Sequence, residues 1–398
     1  MNPHVFVVAG EESGDRLAAP LIAAIKRRAP GARFSGVGGA HMAAEGVPSL
    51  FPLGDLAIVG FTEIVTSLPK ILRRIRQTAD AVVAAHPDVL VIIDSPEFTH
   101  RVARRVRAIA PEIPIVDYVC PSVWAWRPWR ARAMRSYVDH VLALLPFEPA
   151  AMRRLNGPPC TYVGHPLGER VADIRPNIDE ARRRLIDPPV LLVLPGSRDG
   201  EIERLASTFG KAAAELSNRI GSLDLVVPTV PRLADRVRAA VKNWGVAARV
   251  VTDPAEKNAA FRIARAALTK SGTATLELAL AGVPMVTGYK VPLPEAIVGR
   301  LMIGGPSIVL ANLVLGENAV PEFVQGDCAP AKLAMTLLPL FSGTPERVRQ
   351  VEAFARLDSI MEIGRAVPSD RAAGVILDCA AGINHPRLET VASPPPTA

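Results

Sequence analysis

Short apolar runs alternate with helical patterns along this chain, and the plan occurs twice, which restricts the fold to βαβ units built on parallel sheets. In the first half Val5 to Ala9 reads as a strand and Leu17 to Arg28 as its helix. Val89 to Ile93, Ile115 to Val119 and Val138 to Leu145 read as later strands, with a helix at Val102 to Ile109. After Gly164-His165-Pro166 the chain becomes charged and proline-punctuated as far as Pro189, and a new strand opens at Val190 to Leu194. Leu223 to Val227, Ala248 to Thr252, Ala266 to Thr269 and Val283 to Val286 repeat the strand pattern. Each half opens with a strand that runs into a polar, glycine-bearing loop, Gly10 to Asp15 and Pro195 to Gly200. The expected fold is α/β, two tandem Rossmann-like doubly wound domains. Ligands bind beyond the carboxyl ends of the strands in such sheets, which predicts an active site in the interdomain cleft. The expected division is 1–168 for the first domain, 169–189 for a linker and 190–355 for the second. A C-terminal helical segment, 356–385, would pack back on the first domain, and 386–398 would be a disordered tail.

A chain of 398 residues exceeds what one hydrophobic core usually serves, in keeping with two domains. The four cysteines, Cys120, Cys160, Cys328 and Cys379, form no CxxC pair and no cluster with histidine, which predicts a reduced compartment and neither metal nor other cofactor. The N-terminal apolar run ends at Gly10, too short for a signal peptide, so no export is expected. No stretch reaches the roughly 20 apolar residues of a membrane span. The net charge is +7, and Lys70 to Arg135 holds twelve Lys or Arg against six Asp or Glu. That segment is expected to face something anionic.

Neither half carries GxGxxG, and Glu11 and Glu12 in the first loop would repel a pyrophosphate, which disfavours a dinucleotide enzyme. Ser197 and Arg198 follow a strand at its carboxyl end, where a guanidinium can grip a diphosphate in bidentate fashion, or pair with Asp199 or Glu201 instead. The run Ser271-Gly272-Thr273-Ala274-Thr275 enters a helix whose first N–H groups suit a phosphate, with Glu277 placed to accept two ribose hydroxyls. A simple cap with a solvated glutamate is the alternative. Asp94 ends a strand before Ser95-Pro96 and is a candidate general base, or else a helix cap; Glu11 is the second candidate base. Pro121 to Arg130 gathers three tryptophans among arginines, suiting a membrane interface or an acylated, phosphorylated ligand, although Trp124 and Trp126 could equally lie in the core. Ile64, Leu68, Ile71, Leu72 and Ile75 recur at helical spacing beside Lys70, Arg73, Arg74 and Arg76, with Pro69 expected in a first turn. Such a helix either docks on anionic lipid or turns its stripe to the core.

The order of these motifs resembles the lipid-A-disaccharide synthase family, membrane-peripheral glycosyltransferases of GT-B type. The matching residues are Gly10 to Asp15, Gly36 to Gly39 with Met42, Asp94 to Phe98, Tyr118 to Arg127, Leu145 to Glu148, Val163 to Leu167, Leu194 to Arg198, Lys270 to Glu277, Pro284 to Val286 with Tyr289-Lys290, and Ala311 to Leu313. The resemblance implies inverting transfer from UDP-2,3-diacylglucosamine to 2,3-diacylglucosamine 1-phosphate (lipid X), forming a β-1,6 disaccharide 1-phosphate at the cytoplasmic face of the inner membrane. It implies Asp94 as the group that deprotonates or orients the acceptor hydroxyl, with Glu11 still open as base from its position, Arg198 and the Ser271 to Thr275 turn at the diphosphate, Glu277 at the ribose, and Asn312 at another part of the nucleotide. Ser13, Ser122, Trp124, Trp126, Arg127 and Ser197 are the remaining expected substrate contacts. Thr99 stands where the family usually has Asn, and Glu12 where it usually has a small residue. No nucleic acid is expected as partner, and a homodimer is left open. The competing readings are a UDP-N-acetylglucosamine 2-epimerase, a transferase of the peptidoglycan pathway, or a non-catalytic basic membrane-binding protein.

Overall fold

The computed structural model describes residues 2–56, 63–292 and 307–383, with backbone alone for 63–67, so the tail expected at 386–398 lies outside the described residues. It divides into two compact units, one of residues 1–166 with 365–398 and one of 167–364.

Among the described residues of the first unit, strands β1 (His4–Ala9), β2 (Arg33–Val37), β3 (Val89–Ile93), β4 (Ile115–Tyr118), β5 (His140–Ala143) and β6 (Cys160–Tyr162) form one parallel sheet in the order β2-β1-β3-β4-β5-β6. Its central strands read as unbroken apolar runs because both faces are covered. Phe6 and Val8 enter one core cluster while Val5, Val7 and Ala9 enter the other, and Leu90 and Ile92 alternate in the same way with Val89, Val91 and Ile93. Helices α1 (Glu12–Arg28), α2 (Glu63–Ala85) and α3 (Pro96–Ile109) belong to this unit. Pro69 lies inside α2, seventh from its start, and not in a first turn as expected.

The second unit holds β7 (Val190–Leu194), β8 (Asp224–Pro228), β9 (Ala248–Val251), β10 (Ala266–Lys270), β11 (Met285–Tyr289) and β12 (Glu322–Val324), all parallel, in the order β12-β11-β10-β7-β8-β9. Helices α4 (Asp199–Ile220), α5 (Thr273–Leu280) and α6 (Leu310–Leu315) follow β7, β10 and β11 in the chain. Strand order reverses between β1 and β3 in the first sheet and between β7 and β10 in the second, and a crevice for ligands opens at such a point.

Residues 169–189, expected as a linker, instead carry helical turns bound into the second unit. Asn177 caps the helix Ile178–Arg183 in a capping box with Glu180, and Glu180 holds Arg262 at 2.7 Å. The Arg184 guanidinium donates to the carbonyls of Phe261, Arg262, Ala281 and Gly282. The charges that suggested a linker are fastenings, since carbonyls exposed at helix ends need donors.

The final helix, α7 (Pro368–Ala380), returns to the first unit. Ala372, Ala373, Val375 and Ile376 share a core cluster with Leu21, Ile22 and Ile25 of α1, and Arg27 reaches Asp370 at 2.8 Å.

Candidate active site

Ala9 lies opposite Ile93 in the β1/β3 ladder, so the loop opened by Gly10 and the turn opened by Asp94 leave the sheet side by side. Asp94 and Ser95 both hold left-handed backbone, at φ 54° and 47°. That conformation costs of order 1 kcal/mol or more for a residue with a Cβ and persists only where the surroundings impose it. Thr99 imposes it from below, its hydroxyl donating to the carbonyls of Asp94 at 2.6 Å and Ser95 at 3.1 Å. A Cβ on Gly10 would stand 2.5 Å from the Ser95 Cβ, so the neighbouring loop must be glycine there.

One Asp94 carboxylate oxygen accepts the Ser95 N–H at 2.8 Å and the other accepts the Ser13 hydroxyl at 2.8 Å. Asp94 is half-buried, and the residue at the cap of α3 is Ser95. The carboxylate is thus held at the open edge with oxygen lone pairs to spare. Thr99 is wholly buried and supports this turn from within the fold. Glu11 caps α1 and Glu12 begins it, both exposed, with Glu12 paired with Arg16 at 3.1 Å.

Asp15 was not singled out from the sequence, yet it joins two of the motifs. Its buried carboxylate accepts the N–H groups of Gly39 at 2.7 Å, His41 at 2.9 Å and Met42 at 3.0 Å, at the start of the helix Ala40–Ala44. The Gly10 to Asp15 loop is thereby tied to Gly36 to Gly39. The available signal was an aspartate in register with Ala18, Ile22 and Ile25 on the apolar face of α1.

Trp124 is half-buried, packed edge-on against Phe147 with ring centroids 5.0 Å apart, and its indole N–H donates to Glu148 Oε1 at 3.2 Å. Glu148 Oε2 accepts from Leu144 N at 3.1 Å and Leu145 N at 2.9 Å. Burial pushes this carboxyl up to about 7, against the pull of those bonds. Trp126 and Trp129 lie at the surface, 36% and 61% exposed, and the Arg127 guanidinium lies over the Trp126 ring at 4.7 Å. Ser122 is exposed and its carbonyl closes the turn, accepting from Ala125 N and Trp126 N at 3.0 Å each.

Helix α2 divides the expected apolar stripe. Ile75 is in the core and Ile71 packs against it, whereas Leu68 and Leu72 are 44% and 41% exposed; the side chain of Ile64 lies outside the described residues. Arg73 and Arg76 are exposed, but Arg74 is bound to Asp55 and lies over the Phe51 ring at 4.4 Å. Among the described residues no helix is long and apolar enough to cross a membrane.

In the second unit Leu194 lies opposite Thr269, so the loops after β7 and β10 are neighbours. Gly196 has φ 136°, and a Cβ there would meet Glu201 at 2.5 Å. Glu201 is buried, accepts Ser197 N at 2.9 Å and Arg198 N at 3.3 Å, and pairs with Lys270 at 3.0 Å. The Arg198 guanidinium stands 3.5 Å from Glu201 but is 79% exposed, and Ser197 is exposed beside it. Glu201 is thus shared between Lys270 and Arg198, with Lys270 the closer partner.

The hydroxyls expected at the phosphate are in part spent on the fold. Ser271 donates to the Ile308 carbonyl at 2.7 Å and Thr275 to the Gly272 carbonyl at 2.8 Å, both residues being buried. What this turn offers outward is exposed Thr273 and the first N–H groups of α5, beside Gly272 at φ 158°. Glu277 is half-buried, one oxygen held by Lys257 at 2.7 Å, and is not a freely solvated glutamate. Asn312, expected at the nucleotide, is buried with its amide clasping Val320 in both directions, at 2.8 Å and 2.9 Å, and touching Ser307 Oγ at 3.3 Å. Ser307 and Ile308 both contact Glu322, so Asn312 and Ser271 brace one backbone segment. Such pairings between distant residues leave no trace in local pattern.

The sequence matches the model of the lipid-A-disaccharide synthetase family over residues 5–368. It is 58% identical over 375 residues to a lipid-A-disaccharide synthase of Nitrobacter hamburgensis, covering 94% of this chain and 95% of that one. Among solved structures it resembles the calicheamicin glycosyltransferase CalG4 at a TM-score of 0.59 and 17% identity, covering 97% of this chain and 100% of that one. It resembles the UDP-GlcNAc 2-epimerase of Neisseria meningitidis at a TM-score of 0.59 and 13% identity, covering 95% and 100%. At such identities the structural likenesses show the fold, which is GT-B, and the competing epimerase reading shares no more than that.

Proposed function

The chain belongs to the lipid-A-disaccharide synthetase family and is a glycosyltransferase, and on that premise we propose that its donor is UDP-2,3-diacylglucosamine and its acceptor lipid X. The acceptor's 6-hydroxyl oxygen attacks the anomeric carbon of the donor as the bond to UDP breaks on the opposite face, giving inversion and a β-1,6 linkage. The observation that carries this reading is Asp94, a carboxylate held by Ser13 and Ser95 in a left-handed turn at the switch point of the first sheet.

Asp94 takes the 6-hydroxyl proton as the new bond forms, a role that needs a carboxylate within hydrogen-bond reach of the reacting hydroxyl. Glu11, on the adjacent loop, is the alternative base. Negative charge grows on the departing diphosphate, where the exposed Arg198 guanidinium and the first N–H groups of α5, with Ser197 and Thr273, stabilise it. The oxygen of Glu277 not held by Lys257 accepts from the ribose. Ser271, Thr275 and Asn312 act as positioning residues for that turn. Trp124, Trp126, Arg127 and Ser122 flank the acceptor side.

The test is purified protein with both acylated sugars, scored for UDP and disaccharide phosphate in equal amounts. A folded protein that forms no disaccharide would sink the proposal.

The protein works peripherally on the cytoplasmic face of the inner membrane, with Leu68 and Leu72 entering the interface and Arg73 and Arg76 meeting anionic headgroups. Binding to anionic vesicles is expected to weaken as salt rises from 0.05 to about 0.5 M, since exposed charges are then screened. The double variant Arg73→Gln/Arg76→Gln should bind roughly thirtyfold less, about 1 kcal/mol being lost for each of the two cations near the surface. Unchanged sedimentation with vesicles would return α2 to a purely structural role.

A further inference from the structure

A cavity of about 120 Å³ opens beside α3, the helix that starts directly after the Asp94 turn. Its wall carries three guanidiniums, Arg101, Arg104 and Arg130, and one carboxylate, Glu97. Glu97 holds Arg130 at 2.6 Å and Arg101 at 3.6 Å, and these arginines, Arg130 foremost, keep its carboxyl below the usual range. The lining therefore retains a surplus of positive charge around a space with room for several waters.

The third guanidinium is anchored from beneath. Arg104 donates to the Tyr137 hydroxyl at 3.3 Å and lies over its ring at 4.7 Å. The Tyr137 hydroxyl meets His100 Nδ1 at 3.0 Å, and His100 Nε2 stands 3.2 Å from Asp117, a carboxylate buried in β4. The Tyr137 oxygen accepts from Arg104 and shares a hydrogen bond with His100, so the guanidinium rests on two buried rings. A guanidinium on the mouth of a cavity, braced by buried groups, is preorganised for an anion.

We propose that this cavity binds the phosphomonoester of the acceptor, so that one helix both carries the phosphate site and follows from the proposed base. The assignment rests on the reaction proposed above. A phosphomonoester brings close to two negative charges near neutral pH, which suits the surplus on the wall. Planar guanidiniums match phosphate oxygens in paired hydrogen bonds. Arg101 lies about 9 Å along the helix from Ser95, a distance that a sugar ring and the long arginine side chain span together.

The experiment uses the full-length wild-type, Arg101→Gln and Arg104→Gln proteins in detergent, with acceptor bearing or lacking its phosphate. With the phosphorylated acceptor, KM is expected to rise roughly ten- to a hundredfold in each variant while donor KM holds, the loss of one charged hydrogen-bonding partner. With the phosphate-free acceptor the three proteins should behave alike. Equal KM for the phosphorylated acceptor in all three overturns the assignment while leaving the reaction intact. Wild-type protein that turns over neither acceptor overturns the reaction itself. Co-sedimentation with vesicles containing phosphatidic acid separates the two sources of phosphate. Unchanged vesicle binding by the variants supports the acceptor as source. Lost vesicle binding with unchanged acceptor KM would make the cavity a headgroup site and overturn the assignment.

Discussion

Replacing Asp94 by asparagine is expected to lower kcat by roughly a hundredfold to ten-thousandfold, the usual contribution of a positioned general base. The change is nearly isosteric, and the amide oxygen can still accept from Ser13 or Ser95, so the turn at φ 54° and 47° should survive. Melting temperature and donor KM should therefore stay close to wild type, separating lost chemistry from lost structure. The paired control is Glu11→Gln, on the exposed loop beside it. A near-normal rate in Asp94→Asn together with a collapsed rate in Glu11→Gln would exchange the two roles.

The largest stability loss is expected at Asp15. Alanine there leaves the N–H groups of Gly39, His41 and Met42 without their acceptor inside the fold. Orphaned buried donors cost about 1 to 3 kcal/mol each, and partial hydration would hold the total to roughly 3 kcal/mol or a little more. That is a large share of the 5 to 15 kcal/mol typical of a folded protein. Asparagine should restore little. One of its ends can still accept from Gly39 and Met42, but the other turns an amide donor toward the His41 N–H. Urea unfolding measures the loss, and a value below about 0.5 kcal/mol for Asp15→Ala would mean that water or a moved loop replaces the carboxylate.

Strand legibility followed burial. β3 and β7 were read at their observed limits, because a strand covered on both faces must be apolar throughout. The strands that escaped notice are β2, β6 and β12, each at a sheet edge. Their sequences, Arg-Phe-Ser-Gly-Val, Cys-Thr-Tyr and Glu-Phe-Val, are short or half-exposed and carry no apolar run. Asp94, Glu11 and Arg198 could be picked out because they end or follow such central strands. The inward commitment of Ser271 and Asn312 could not, since their partners Ile308 and Val320 are set by the tertiary fold. Asp15 is the opposite case, a charge visible on an apolar helix face whose partners lie in the separate Gly39 to Met42 segment. The arginines of the cavity were counted in the basic excess, but only the fold turns Arg101, Arg104 and Arg130 toward one space.

The return of α7 to the first unit also sets an order of events during synthesis. Residues 167–364 form a contiguous unit that can close as soon as they clear the ribosome. The first unit cannot, because Ala372, Ala373 and Ile376 complete one of its cores and emerge more than 200 residues after Val163. The half made first is therefore finished last, and until then the apolar face of α1 stays open to aggregation or to a chaperone.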